Sequence, residues 1–139
     1  MRGPSVPAMT APAPYLHLPG TARKALAFYR DVFGGEAEVH TLADFGRTDG
    51  PPDAVAHGEL RGPVTLFAAD ASGDEAPLRV EGLTLSLLGA AEPAVLHTWF
   101  AALAEGGQVL DDLQRREWGA ADGTVVDRFG VRWLLGYED

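Results

Sequence analysis

The sequence predicts an α+β domain built from two βαβββ modules, and three observations carry that prediction. Alternating apolar residues at Tyr15–Leu18 and at Leu83–Leu87 each mark a strand that leads into an amphipathic helix. Both helices stop at a double glycine, Gly34-Gly35 and Gly106-Gly107. Three further strand candidates follow each stop. One module alone covers only one side of its sheet, so the two must share a core, and 139 residues suit one such domain.

Taken in order, Pro19-Gly20 breaks the first strand, and Thr21 is placed to cap a helix running to about Phe33. Ala22, Ala25, Leu26, Tyr29, Val32 and Phe33 form its apolar stripe, with Arg23, Lys24, Arg30 and Asp31 opposite. Strands are expected at Glu36–Thr41, Ala54–Leu60 and Val64–Ala69, and the Gly-, Pro- and Asp-rich segment Asp44–Asp53 reads as a mobile loop. In the second half Pro93 sits near a helix start, and Val95, Leu96, Trp99, Phe100 and Leu103 form the stripe. Gln108–Leu110, Gly123–Val126 and Val131–Leu135 are the closing strands. Module one spans residues 13–70 and module two residues 82–137 of a domain covering 13–139. Residues 1–12 are Pro-rich and expected to be an unstructured extension, within which Met9 is an alternative start to Met1.

Composition removes several function classes. There are 20 acidic against 11 basic side chains, a net charge of −9, and scattered arginines, so nucleic acid is not an expected partner. Without cysteine there is no disulfide frame, thiolate metal site or cysteine nucleophile. No apolar run approaches the roughly 20 residues of a membrane span, and the N-terminal stretch lacks the apolar core of a signal peptide. A cytoplasmic protein without membrane contact is expected. A Gly-rich phosphate loop, a Gly-x-Ser-x-Gly elbow and a His-Glu-x-x-His helix are all missing.

Several stretches carry a family resemblance: Pro14-Tyr15-Leu16; Ala25-Leu26-Ala27-Phe28-Tyr29-Arg30-Asp31-Val32-Phe33-Gly34-Gly35; His57-Gly58-Glu59-Leu60; Leu103-Ala104-Glu105-Gly106-Gly107; and Trp118-Gly119 leading to Asp127-Arg128-Phe129-Gly130-Val131-Arg132-Trp133. In this order and spacing, over residues 13–137, the chain resembles the vicinal oxygen chelate (glyoxalase/bleomycin resistance/dioxygenase) superfamily, and within it the PhnB-like branch. The resemblance implies a curved, glyoxalase-like open barrel around a pocket. It also implies where metal-dependent members place ligands: at the first strand and the last strand of each module. Carried onto this chain, those points fall at Pro14 or Tyr15, at about Phe67, in Gly82-Leu83-Thr84, and at Leu134, where the family's Asp-x-x-Gly-x-x-x-Glu pattern has its glutamate. A divalent ion needs three or four converging N or O ligands, so no metal and no cofactor is expected. His17 with His57 and Glu59 is the one alternative ligand set.

The same positions define the candidate site. Tyr15 and His17 share a strand face opposite Leu16 and Leu18, and His57 and Glu59 oppose Ala56, Gly58 and Leu60. The Gly62-Pro63 turn leaves that second register open by one residue, which would reverse it. Phe67 and Leu134 facing inward make an apolar floor, Arg132 is placed to meet an anionic group or solvent, and Trp118 to close a rim or staple a loop. A His57–Glu59 ion pair is expected to be structural; His40 and His97 are assigned no role. The reading is a metal-independent protein that binds a small, partly apolar organic molecule, with sequestration or resistance as one version. The alternative is an enzyme, either a metal-dependent lyase, isomerase or dioxygenase, or a metal-free acid–base catalyst using His17, His57 and Glu59. Open sheet edges that need cover lead us to expect a homodimer.

Overall fold

In the computed structural model, which describes residues 11–138, the elements run β1 (Tyr15–Leu18), α1 (Ala22–Phe33), β2 (Glu36–Thr41), a 3-10 turn (Ala43–Phe45), β3 (Val55–Arg61) and β4 (Leu66–Asp70). The second half runs β5 (Leu85–Leu88), α2 (Pro93–Ala104), β6 (Gln108–Arg115), β7 (Ala120–Val126) and β8 (Arg132–Glu138). Each half is one four-stranded mixed sheet, ordered β1-β4-β3-β2 and β5-β8-β7-β6, with the first pair parallel and the rest antiparallel. The predicted α+β fold of two βαβββ modules is the observed one. The extension expected over residues 1–12, and the choice between Met1 and Met9, lie almost wholly outside the described residues.

The repeat has a physical cause at the double glycines. A Cβ on Gly35 would stand 2.3 Å from the carbonyl oxygen of Arg61, the last residue of β3. A Cβ on Gly107 would stand 2.2 Å from that of Val126, the last residue of β7. Both modules thus turn out of their helix by passing bare backbone against the end of the third strand, which only glycine permits.

The helix stripes face inward as their spacing predicts, except at Val95, which is exposed: Ala22, Ala25, Leu26, Tyr29, Val32 and Phe33 of α1, and Leu96, Trp99, Phe100 and Leu103 of α2, are buried. The modules join through these faces. The Phe33 ring meets Trp99 edge-on with centroids 5.0 Å apart, and Phe28 meets Phe129 at 5.6 Å beneath the Arg128 guanidinium. At the centre lies Asp127, a charged residue only 3% exposed. Its Oδ2 accepts from the Tyr29 hydroxyl at 2.6 Å and the Trp133 indole N–H at 2.8 Å. Its Oδ1 accepts from the backbone N–H groups of Phe129 and Val131 at 2.7 and 3.2 Å. One carboxylate therefore shapes the β7–β8 turn and ties α1 of the first module to β8 of the second.

This arrangement raises the pKa of Tyr29 far above the ordinary phenol value, by burial first and by the Asp127 charge and hydrogen bond second. A raised folded-state pKa favours the fold fully below about pH 10, the unfolded tyrosine value, and progressively less above it. Ultraviolet titration of the three tyrosines should show Tyr29 ionising only together with alkaline unfolding. Three phenolates formed while the far-ultraviolet dichroism stays native would contradict this.

Four local expectations need correction. Thr21 makes no side-chain cap; the Ala22 N–H donates instead to Oδ1 of Asp70 at 3.0 Å, and Oδ2 of Asp70 accepts from the Val55 N–H at 2.9 Å. A carboxylate at the end of β4 outcompetes the local hydroxyl because it holds two backbone donors at once. The segment Asp44–Asp53 begins in the 3-10 turn Ala43–Phe45 rather than as irregular chain: Thr41 and Asp44 exchange backbone–side-chain hydrogen bonds at 2.8 and 3.1 Å, and Leu42 is buried. The strand expected to end at Leu110 continues to Arg115, with ladder irregularities between Val109 and Asp111 and between Asp111 and Gln114. Arg116 bonds both Asp111 and Asp122, which lets the acidic run stay in an edge strand. Finally, His57 and Glu59 form no pair with each other; Glu59 lies 3.4 Å from Arg61, and His57 is engaged elsewhere.

Candidate functional site

Each sheet has one face under its helix and one face turned away. In β1 the alternation is decisive: Leu16 and Leu18 are buried, while Tyr15 and His17 point to the open side. In β3 the register is settled by Gly58, whose Cβ would stand 2.4 Å from Leu26 Cδ1 of α1. Gly58 must therefore face the helix, which sends His57 and Glu59 to the open side. Pairing of Tyr15 with Phe67 and of Glu59 with Phe67 completes the set.

Four rings gather there. Tyr15 lies parallel to His17 and to Phe67, with centroids 5.0 and 5.8 Å apart, and His57 lies parallel to Phe67 at 5.6 Å. The Tyr15 hydroxyl and His57 Nδ1 share a hydrogen bond of 2.9 Å that spans the intervening strand β4. Tyr15 is nevertheless 41% exposed, an aromatic surface presented to solvent rather than a core. Burial, and secondarily the charge of Glu75, hold its hydroxyl above the ordinary pKa, so it stays a neutral phenol.

Next to these rings opens a cleft of about 410 Å³ whose floor includes Tyr15, His17 and Ala69. One wall is the connection from β2 to β3, residues 42–54, which brings Arg47 and Asp49; their side chains pair through Arg47 Nε and Asp49 Oδ1 at 3.0 Å. The opposite wall, residues 70–75, brings Glu75, whose Oε1 lies 3.3 Å from His17 Nδ1. The second module, joined from β6 to β7 by residues 116–119 only, has no such wall. A cleft also of about 410 Å³ opens at the matching place, beside Leu88, Asp122 and Tyr137.

The sequence-predicted residues therefore divide. Tyr15, His17, His57 and Phe67 come together, and Glu59 stands on the same face beside Phe67. Leu134 belongs to the second sheet, half-buried between Ser86 and Thr124. Arg132 is exposed at the start of β8, next to a small hollow of about 140 Å³ that touches Tyr15 and Leu85. Trp118 closes nothing: it is 74% exposed in the β6–β7 turn. His97 bonds the Tyr137 hydroxyl at 2.9 Å in the second module, whereas His40 pairs with Glu38 at 3.0 Å and stands opposite His57 across the β2–β3 ladder, on the same face of the first sheet. Glu75, Arg47 and Asp49 lie in connections without periodicity, and no sequence signal singled them out.

The donor set does not suit a divalent ion. Register makes Ser86–Leu134 the second module's counterpart of Tyr15–Phe67. A phenol, a phenyl ring, a hydroxyl and an aliphatic chain supply neither the charge nor the converging N and O atoms required. Among the described residues no group of three or more His, Asp or Glu side chains is arranged to hold a metal. The alternative set is dispersed among other partners, His17 with Glu75, His57 with Tyr15 and Glu59 with Arg61.

Comparison with known proteins agrees with this architecture. The family model of the glyoxalase/bleomycin resistance protein/dioxygenase superfamily matches residues 18–135. The curated protein YjdN of Escherichia coli strain K12 is 28% identical, over 88% of this chain and 92% of its own length. The crystal structure of protein PA1353 from Pseudomonas aeruginosa superposes with a TM-score of 0.75 at 32% identity, covering 94% of this chain and 98% of that one. A PhnB protein from Bacillus cereus, described as a putative 3-demethylubiquinone-9 3-methyltransferase, superposes with a TM-score of 0.74 at 19% identity, covering 92% and 99%. With its paired modules, open sheets and matched span, the chain belongs to the glyoxalase/bleomycin resistance protein/dioxygenase superfamily and has a PhnB protein among its structural neighbours.

Proposed function

We propose that this protein binds a small, partly apolar organic molecule against the ring face of its first sheet, without a metal ion. The observation that carries this reading is the group of exposed Tyr15 and half-buried His17, His57 and Phe67, the first two of which line a cleft of about 410 Å³. Aromatic surface held open to water at a concave site is the usual form of a small-molecule pocket. The apolar and hydroxyl side chains at the family's ligand points support metal independence. Among the described residues no helix is long and apolar enough to cross a membrane, and we assign the protein to the cytoplasm. Exposed Leu83, Leu88, Val109 and Leu110 on or beside the edge strands β5 and β6 support a homodimer.

The Tyr15–His57 hydrogen bond favours a second reading, in which a neutral phenol and an imidazole perform metal-free acid–base chemistry on the bound molecule, with His17 and Glu59 beside them.

Protein purified without chelator should carry well under one equivalent of Fe, Mn, Ni or Zn by elemental analysis. It should bind aromatic heterocycles from a fragment screen equally well before and after treatment with a chelator. Tyr15→Ala combined with Phe67→Ala should weaken those ligands by about tenfold, the effect of losing two ring contacts. One tightly held equivalent of metal, or binding indifferent to both rings, would refute the proposal. Chemical conversion of a bound heterocycle, lost in His57→Ala, would select the enzymatic reading.

A further inference from the structure

We propose that the cleft selects planar aromatic cations over neutral or anionic rings of the same size, and that Glu75 is the selecting residue. This rests on the binding reading above and adds the charge of the ligand to it.

The charges around the cleft do not cancel. Arg47 is answered by Asp49 in its own turn, so that wall is close to neutral. Asp70 spends one oxygen on the Ala22 N–H and the other on the Val55 N–H, and adds a fixed negative charge beneath the floor. Glu75 engages His17 Nδ1 and the Ser72 N–H through Oε1 alone, both at 3.3 Å. Among the described residues nothing bonds its Oε2, which is left to a ligand. Glu59 beside Phe67, and Glu38 opposite it on β2, are further carboxylates on this face, and Arg61 lies against both.

A cation over the Tyr15 ring gains from both features at once. The ring face is electron-rich and attracts positive charge, and Glu75 lies close enough to Tyr15 to raise the cost of its ionisation. An anionic ring meets the same carboxylate as repulsion. His17, at 3.3 Å, and Arg47, across the cleft, are the basic groups within reach of the Glu75 charge, and they oppose this selection.

The test is calorimetric titration of the full chain near pH 8 with three bicyclic probes: N-methylquinolinium, quinoline and quinaldate, which are cationic, neutral and anionic there. The expected order is cation, then neutral ring, then anion, with the cation about tenfold tighter than quinoline. Glu75→Gln keeps an oxygen for the Ser72 N–H and should bring the first two affinities together, weakening the cation far more than quinoline. Added salt should narrow the same gap. Equal binding of all three probes, still lost in Tyr15→Ala/Phe67→Ala, would overturn charge selection and leave the binding reading standing. So would an unchanged cation preference in Glu75→Gln. Failure of every probe to bind would overturn both.

Discussion

Replacing Asp127 by alanine is expected to cost about 4 kcal/mol of folding stability, a large part of what a domain of this size possesses. The substitution leaves the Tyr29 hydroxyl, the Trp133 indole N–H and two backbone N–H groups without their acceptor in a core where Asp127 is 3% exposed. Each lost bond ran to a charged group, the strong class, and the cavity admits few replacements. Asp127→Asn keeps one carbonyl oxygen and turns an N–H toward a former donor, so its loss should fall between alanine and wild type. Urea unfolding followed by near-ultraviolet dichroism measures both, because Trp133 and Tyr29 report on the same contact. A loss below about 1 kcal/mol for Asp127→Ala would mean that the cross-module tie is redundant.

Gly35→Ala and Gly107→Ala should each destabilise the fold by about 3 kcal/mol, through one mechanism acting twice. Each new methyl meets a backbone carbonyl oxygen, at 2.3 Å for Gly35 and 2.2 Å for Gly107, and neither Arg61 nor Val126 can retreat without breaking its strand. Gly35 adds the strain of its φ of +104°. Gly73→Ala provides the scale: its φ is +56° and nothing lies within 4 Å, so only backbone strain of about 1 kcal/mol is expected. Midpoints of chemical denaturation for the three variants decide the matter. If Gly35 and Gly107 fall no further than Gly73, the close approach does not hold the modules.

Much of this molecule was legible because its signals are short-range. Helical spacing located the buried faces of α1 and α2, and alternation in four residues told Tyr15 and His17 from Leu16 and Leu18. Gly58 was the unread clue to the β3 register: a glycine inside a strand marks the place where a neighbour, here Leu26, comes too close for any side chain. What stayed hidden depends on partners distant in the chain. Asp70 caps a helix that begins 48 residues earlier, and no local pattern announces it. The strand expected to stop at Leu110 runs on through Asp111-Asp112, where Arg116 bonds Asp111 and Asp122. The site divided in the same way. The residues on regular strands, Tyr15, His17, His57 and Phe67, were expected on one face and lie together there. Glu75, Arg47 and Asp49, which form the cleft walls, lie on connections where sequence carries no period. Trp118 was attractive by residue type and stands exposed in a turn, while Arg132 borders a small hollow that also touches Tyr15.

The central claim, a metal-free ligand site on the ring face, is tested most directly by mapping amide and side-chain resonances of chelator-treated protein during titration with aromatic heterocycles. The expected shifts cluster at Tyr15, His17, His57 and Phe67, with Glu75 beside them, and leave Trp118 and Leu134 unmoved. Shifts centred on Trp118 or the second sheet, or a response that returns only when a divalent metal is restored, would contradict it.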